Sequence, residues 1–156
     1  MPHSDQQYLE LALKQAEQSR LNGNHPFGAV LVDDSGDVLL AAENSVITQS
    51  DVTAHAELNL VRAATRTFDT EKLASCSIYS SAEPCPMCAS AIVWANIRRV
   101  VFGLGMHKLY EVFGDVGEAP TLKMESRSIF KLAPWPVTVL GPILEKEALE
   151  PHKDFW

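Results

Sequence analysis

The sequence predicts an α/β fold: a sheet with helices packed on its faces. Three features of the 156 residues carry that expectation. The first is an amphipathic opening segment. The second is a polar five-residue turn between two apolar runs. The third is a strand–helix–strand alternation through the middle of the chain. A chain of this length fits one domain, here residues 1–156, with a core of its own.

The segment "SDQQYLELALKQAEQSRLNGN" reads as a first helix. Ser4 or Asp5 can cap it, apolar residues recur at three and four, and Gly23 and Asn24 stop it. "HPFGAVLVDDSGDVLLAAEN" reads as a hairpin: a strand around Phe27 to Val32, the turn Asp-Asp-Ser-Gly-Asp, and a strand around Val38 to Ala42. "SVITQSDVT" reads as a loop, followed by a helix over roughly Ala54 to Thr67. "CSIYSS" is a short buried strand. "PCPMCASAIVWANI" opens on prolines, which suit a helix's first turn. "RRVVFGL" is another strand. "MHKLYEVFGDVGEAP" reads as a loop or short helix, "WPVTVLG" as a last strand, and "PILEKEALEPHKDFW" as a last helix and tail.

Composition narrows the function classes. The net charge is −7 at pH 7 and 46% of residues are hydrophobic. An acidic chain argues against a polyanion as the main partner, because nucleic-acid binding relies on clustered Lys and Arg. Arg98 and Arg99 are the single hint of a basic patch. No apolar run is long enough to span a bilayer, and the N-terminus lacks a basic-then-apolar signal pattern. The expectation is a cytoplasmic protein with no membrane partner. Three cysteines, Cys76, Cys85 and Cys88, do not make a disulfide framework; metal binding or thiol chemistry fits better.

Two short stretches carry chemistry. In "SAEPCPMCAS", Cys85 and Cys88 stand three apart where a helix begins, so both sulfurs fall on one face of its first turn. The positive end of the helix favours thiolate there. Three readings compete: a redox dithiol, a structural zinc site with four protein ligands, and an open zinc site with three. In "TAHAELNL", His55 and Glu57 are two apart and on a regular helix would point in nearly opposite directions. His55 can complete a set with Cys85 and Cys88, with water in the fourth position. Glu57 would then overlook that water rather than bind the metal, and a carboxylate in reach can take and deliver its proton. The open-site reading explains both stretches. Cys76 reads as a small apolar residue in its strand. His3, His25, His107 and His152 read as surface or second-rank residues. Glu83 reads as favouring the helix dipole.

"HAE" at 55–57 and "PCPMC" at 84–88 resemble the cytidine deaminase superfamily, whose signature is His-x-Glu followed by Pro-Cys-x-x-Cys. "PFGAVLV", "TAHAEL" and "EPCPMC" look most like the branch acting on free bases and the related tRNA adenosine deaminases. The likeness runs from about Pro26 to Phe102. It implies a three-layer α/β/α cytidine deaminase-like fold with a mixed five-stranded sheet and helices on both faces. It implies a Zn2+ cofactor held by His55, Cys85 and Cys88, with Glu57 catalytic. The expected reaction is hydrolytic deamination of a free nucleobase such as guanine, cytosine or isocytosine, with water as co-substrate and ammonia released. The alternative is a tRNA adenosine-to-inosine deaminase. The likeness also implies a homodimer, an asparagine on the base at Asn44, and pocket positions at Phe27 and Ala56; Trp94, six residues beyond Cys88 on the same helix, reads either as a pocket wall or as a packing residue. A second acidic residue on the base would be Asp115, or failing that Glu118. A C-terminal cap would use Phe155 and Trp156.

Overall fold

The computed structural model describes residues 3–114 and 122–156. In chain order the elements are α1 (Asp5–Leu21), β1 (Gly28–Val32), β2 (Val38–Glu43), α2 (Val46–Gln49), α3 (Ala56–Thr67), α4 (Thr70–Ala74), β3 (Ser77–Ala82), α5 (Pro86–Trp94), β4 (Arg99–Leu104), α6 (Met106–Phe113), α7 (Ser126–Phe130), β5 (Thr138–Leu140) and α8 (Glu145–Leu149), followed by a 3-10 turn over Glu150–His152. The sheet order is β2-β1-β3-β4-β5. β1 pairs antiparallel with both β2 and β3, whereas β3–β4 and β4–β5 are parallel. The sheet is therefore mixed and five-stranded, as expected.

Alternation along the strands sorts the core into two layers. Ala29, Leu31, Ile78 and Val100 face Leu60, Ala64 and Ile92, on the side of α3 and α5. Val30, Val32, Tyr79 and Val101 face Tyr8 and Leu9 of α1. With both faces covered, β1 is buried at every position, which is why it reads as a continuous apolar run rather than an alternating one. Truncating a fully buried Leu60 or Ile92 to alanine costs about 2–5 kcal/mol. Gly28 lets α1 cross close to β1: a Cβ there would collide with the Ala12 carbonyl oxygen and the Ala16 nitrogen.

α1 is also pinned to the sheet by polar groups. Tyr79 Oη donates to Asp5 Oδ1 at 2.7 Å, and Arg99 donates to both Asp5 oxygens at 3.1 and 2.9 Å. Arg99 holds the Asp5 carboxyl below its ordinary range. Three short helices, α2, α4 and α7, lie where the sequence reads as loop or offers no pattern. At four or five residues each they are too short to show a helical period and form only because tertiary packing holds them. Among the described residues, no helix is long and apolar enough to cross a membrane.

Candidate functional site

The first turns of α3 and α5 bring the two sequence stretches together. α3 packs beside α5 on the same face of the sheet. His55 is the N-cap of α3, with extended backbone at φ −68° and ψ 152°. Cys85 is the N-cap of α5 at φ −66° and ψ 169°, and Pro86 opens the helix behind it. His55 therefore stands outside the helix that holds Glu57. The expectation that the two side chains diverge assumed a shared helical phase and does not hold here.

His55 Nδ1 lies 3.6 Å from Cys85 Sγ and 3.6 Å from Cys88 Sγ. The three ligand atoms all fall within 4.8 Å of one another, and they are the one such His/Cys/Asp/Glu group among the described residues. A tetrahedral zinc with Zn–S of about 2.3 Å and Zn–N of about 2.0–2.1 Å places sulfur and nitrogen about 3.6 Å apart. The spacing of the donors thus fits zinc, and His55, Cys85 and Cys88 form a possible metal site with three protein ligands. Neither N-cap side chain closes a cap hydrogen bond, so both stay available to a metal.

The electrostatics suit a cation. Hydrogen bonding with Cys88, and then with His55, outweighs burial and holds the Cys85 thiol down to about 4. Its partner Cys88 is pushed up, first by that same bond and then by burial. Cys85 likewise raises the His55 imidazole against the effect of burial. Glu57 is 6% exposed, and burial pushes its carboxyl up to about 7. His55 and Cys88 act on the carboxyl in the opposite sense, and this influence sets Glu57 near the three donors.

The loop after β2 runs beside the start of α3, where Ser45 N donates to Ala54 O, and is tied down from two sides. The Ser19 hydroxyl of α1 lies 2.7 Å from His25 O and 2.8 Å from Asn44 O, with its proton shared between them. Asn59 of α3 donates to Glu43 O at 2.9 Å and to Ser45 Oγ at 3.0 Å. Asn44 is buried. Its Oδ1 accepts from Val46 N at 3.0 Å, a turn bond, while its Nδ2 donor has no protein partner among the described residues. Asn44 N donates to Phe27 O, and Phe27 packs against the layer that includes Ala56, the first residue of α3.

Other sequence candidates scatter. Trp94 is 88% exposed on the last turn of α5 and is not gathered with the metal donors in this chain. Asp115 and Glu118 lie outside the described residues. Glu83 Oε2 accepts from Ser126 N at 3.1 Å, anchoring α7. Trp156 lies beside Phe27 and beside His25, with ring centroids 6.3 and 5.3 Å away. Two histidines that read as peripheral belong to this neighbourhood. His25 is half-buried, and its pKa is lowered by burial and by the charge of His55. His152 is 1% exposed among aromatic rings. The signal for His25 was its place two residues before Phe27; for His152 it was an aromatic-rich tail.

The family model described as "Cytidine and deoxycytidylate deaminase zinc-binding region" matches residues 2–104. The chain belongs to that family. It is a hydrolytic, zinc-binding deaminase. Its relatives include a probable cytosine deaminase from Schizosaccharomyces pombe, 43% identical across 100% of this chain and 94% of that protein. A tRNA-specific adenosine deaminase from Haemophilus influenzae is 38% identical over 78% of this chain and 74% of its own length. The solved structure of a guanine deaminase from Bacillus subtilis superposes with a TM-score of 0.65 at 29% identity, over 97% of this chain and 92% of that one.

Proposed function

We propose that this deaminase acts on a free nucleobase of the cytosine type, with guanine-like amino bases as the next class, and that residues 1–156 carry the activity as one domain. The observation that carries the reading is the 43% identity with a probable cytosine deaminase across the whole chain. Zinc, held by His55, Cys85 and Cys88, supplies a Lewis acid that brings the pKa of water toward about 7. Glu57 accepts the proton of the attacking water on its carboxylate. It delivers that proton to the ring nitrogen beside the carbon that bears the amine, then carries the proton of the newly added hydroxyl to the amine nitrogen, so that the carbonyl forms as the C–N bond breaks and ammonia leaves. A carboxyl brought up to about 7 by burial suits both directions of transfer. Asn44 Nδ2, with no protein partner among the described residues, is an amide donor suited to a base edge, and Phe27, whose carbonyl accepts from Asn44 N, offers an apolar ring.

The second reading, deamination of adenosine in tRNA, is favoured by the Haemophilus relative. Charge weighs against it. The chain carries −7, and its paired arginines are engaged internally: Arg99 with Asp5, and Arg98 with Asn96 Oδ1 and the Trp135 ring. Ammonia release from a panel of bases, nucleosides and an anticodon stem-loop, with Glu57→Gln as blank, tests both. Turnover of the stem-loop without turnover of any free base would overturn the first reading.

A further inference from the structure

The last seven residues fold back on α1 and the entry to β1 through groups that the proposed chemistry leaves unused. Arg20 Nη1 donates to the carbonyl of Pro151 at 3.0 Å and to that of Lys153, and its guanidinium stands over the Phe155 ring, 5.5 Å from the centroid. Beyond that clamp, Trp156 Nε1 donates to His152 Nδ1 at 3.0 Å, with the two rings nearly parallel at 17°. An indole N–H can only donate. His152 Nδ1 must therefore keep its lone pair, so the imidazole is neutral and carries its proton on Nε2. Phe27 and Phe113 enclose the same ring at 5.1 and 5.9 Å. Among the described residues, the charged and titratable neighbours offer no counter-ion. α1 presents Arg20, of like sign to an imidazolium, and the segment before β1 presents His25, against the far side of Trp156. α6 presents aromatic residues, and on the turn itself Glu150 and Lys153 are exposed and paired with each other at 2.6 Å.

We infer that His152 is a positioning residue: its uncharged imidazole fixes Trp156 against His25 and Phe27, closing that flank of the candidate site, and protonation lets the C-terminal segment go. A proton on Nδ1 would set two donors against each other and would bury a cation with no partner among the described residues. The burial that holds His152 down to about 4 keeps the latch shut at neutral pH. The consequence for catalysis rests on the site reading above; the latch itself does not.

The test is the indole N–H resonance of Trp156 in the full-length protein, identified by its loss in Trp156→Phe. At pH 7 it is expected downfield and protected from exchange. It should lose both properties on acidification, retain them at low pH in His152→Gln, whose amide oxygen accepts without titrating, and lack them at every pH in His152→Phe. In turnover assays His152→Phe and Trp156→Phe should each raise KM about 5-fold, the worth of one hydrogen bond, with little change in kcat. The double variant should be no worse than either single one, and His152→Gln should be nearer wild type. A wild-type resonance that matches His152→Phe at pH 7, or an identical acid transition in His152→Gln, overturns the latch. If the resonance behaves as expected while KM is unmoved in all variants, the latch stands and its placement over the site fails.

Discussion

Four helix starts in this molecule divide into two kinds. α1 begins with Ser4, whose hydroxyl accepts from Gln7 N at 3.3 Å while the Gln7 side chain returns to Ser4 N at 2.8 Å. α4 begins with Asp69, which accepts from Lys72 N at 2.8 Å. These are ordinary caps, each satisfying donors that a helix leaves over. α3 and α5 begin with His55 and Cys85, and neither side chain makes a cap bond. A histidine and a cysteine are poor N-caps. Placing them there leaves their ligand atoms free and aims them from two neighbouring helix starts at one point. The first pair of starts serves stability; the second forgoes that contribution for a metal.

Four tests probe the division, in decreasing order of effect. Glu57→Gln is expected to lower kcat by about 10³-fold or more, within the range for loss of an acid–base group, and still hold one zinc per chain by elemental analysis. Near-normal turnover in that variant would remove Glu57 from the chemistry. Cys88→Ala or His55→Ala is expected to lose zinc on dialysis. The accompanying drop in stability should be about 4 kcal/mol where free zinc exceeds its Kd by about 1,000-fold, and a chelator should produce the same drop in the unmodified protein.

The third test sets His152, which is buried, against His55, which is half-buried and shifted the opposite way. Burial lowers the His152 pKa to about 4, so above the unfolded value of about 6.5 its contribution to stability is fully present. As pH falls from about 6.5 to about 4 the unfolded chain binds the proton first, and stability declines by up to about 3 kcal/mol. Denaturant titrations of His152→Phe should lack that component of the acid slope. The smallest effect belongs to the conventional start. Ser4→Ala should cost about 1 kcal/mol and leave zinc content and kcat unchanged. A change in either would mean that α1 takes part in the site.

Much of this was legible in the residues. The hairpin, α1, the β3–α5–β4 unit and the metal donors follow from apolar periodicity, a Gly-containing turn and two motifs. What stayed hidden shares a cause. α2, α4 and α7 are shorter than two helical turns, so no period betrays them, although Asp69 before Thr70–Ala74 was a readable cap. His55 and Glu57 seemed opposed because helical phase was extended one residue too far toward the N-terminus. Trp94 seemed close to Cys88 by spacing, yet it projects into solvent at the far end of α5. The burial of His152 had only an aromatic-rich tail to signal it, because its cage adds Phe27 and Phe113, from distant parts of the chain, to the nearby Trp156.

By itself the sequence determined the chemistry on offer. One imidazole, two thiols and one carboxylate, at those spacings and each at a helix start, select zinc and proton transfer, because local backbone geometry sets which side chains a first turn can present. Only the tertiary structure decided how those groups meet. The 3.6 Å approach of Nδ1 to both sulfurs, the burial that lifts Glu57 and the return of the C-terminal segment under Arg20 all join residues about 30 to more than 130 positions apart. Such contacts depend on how helices pack across a sheet, which no local pattern encodes.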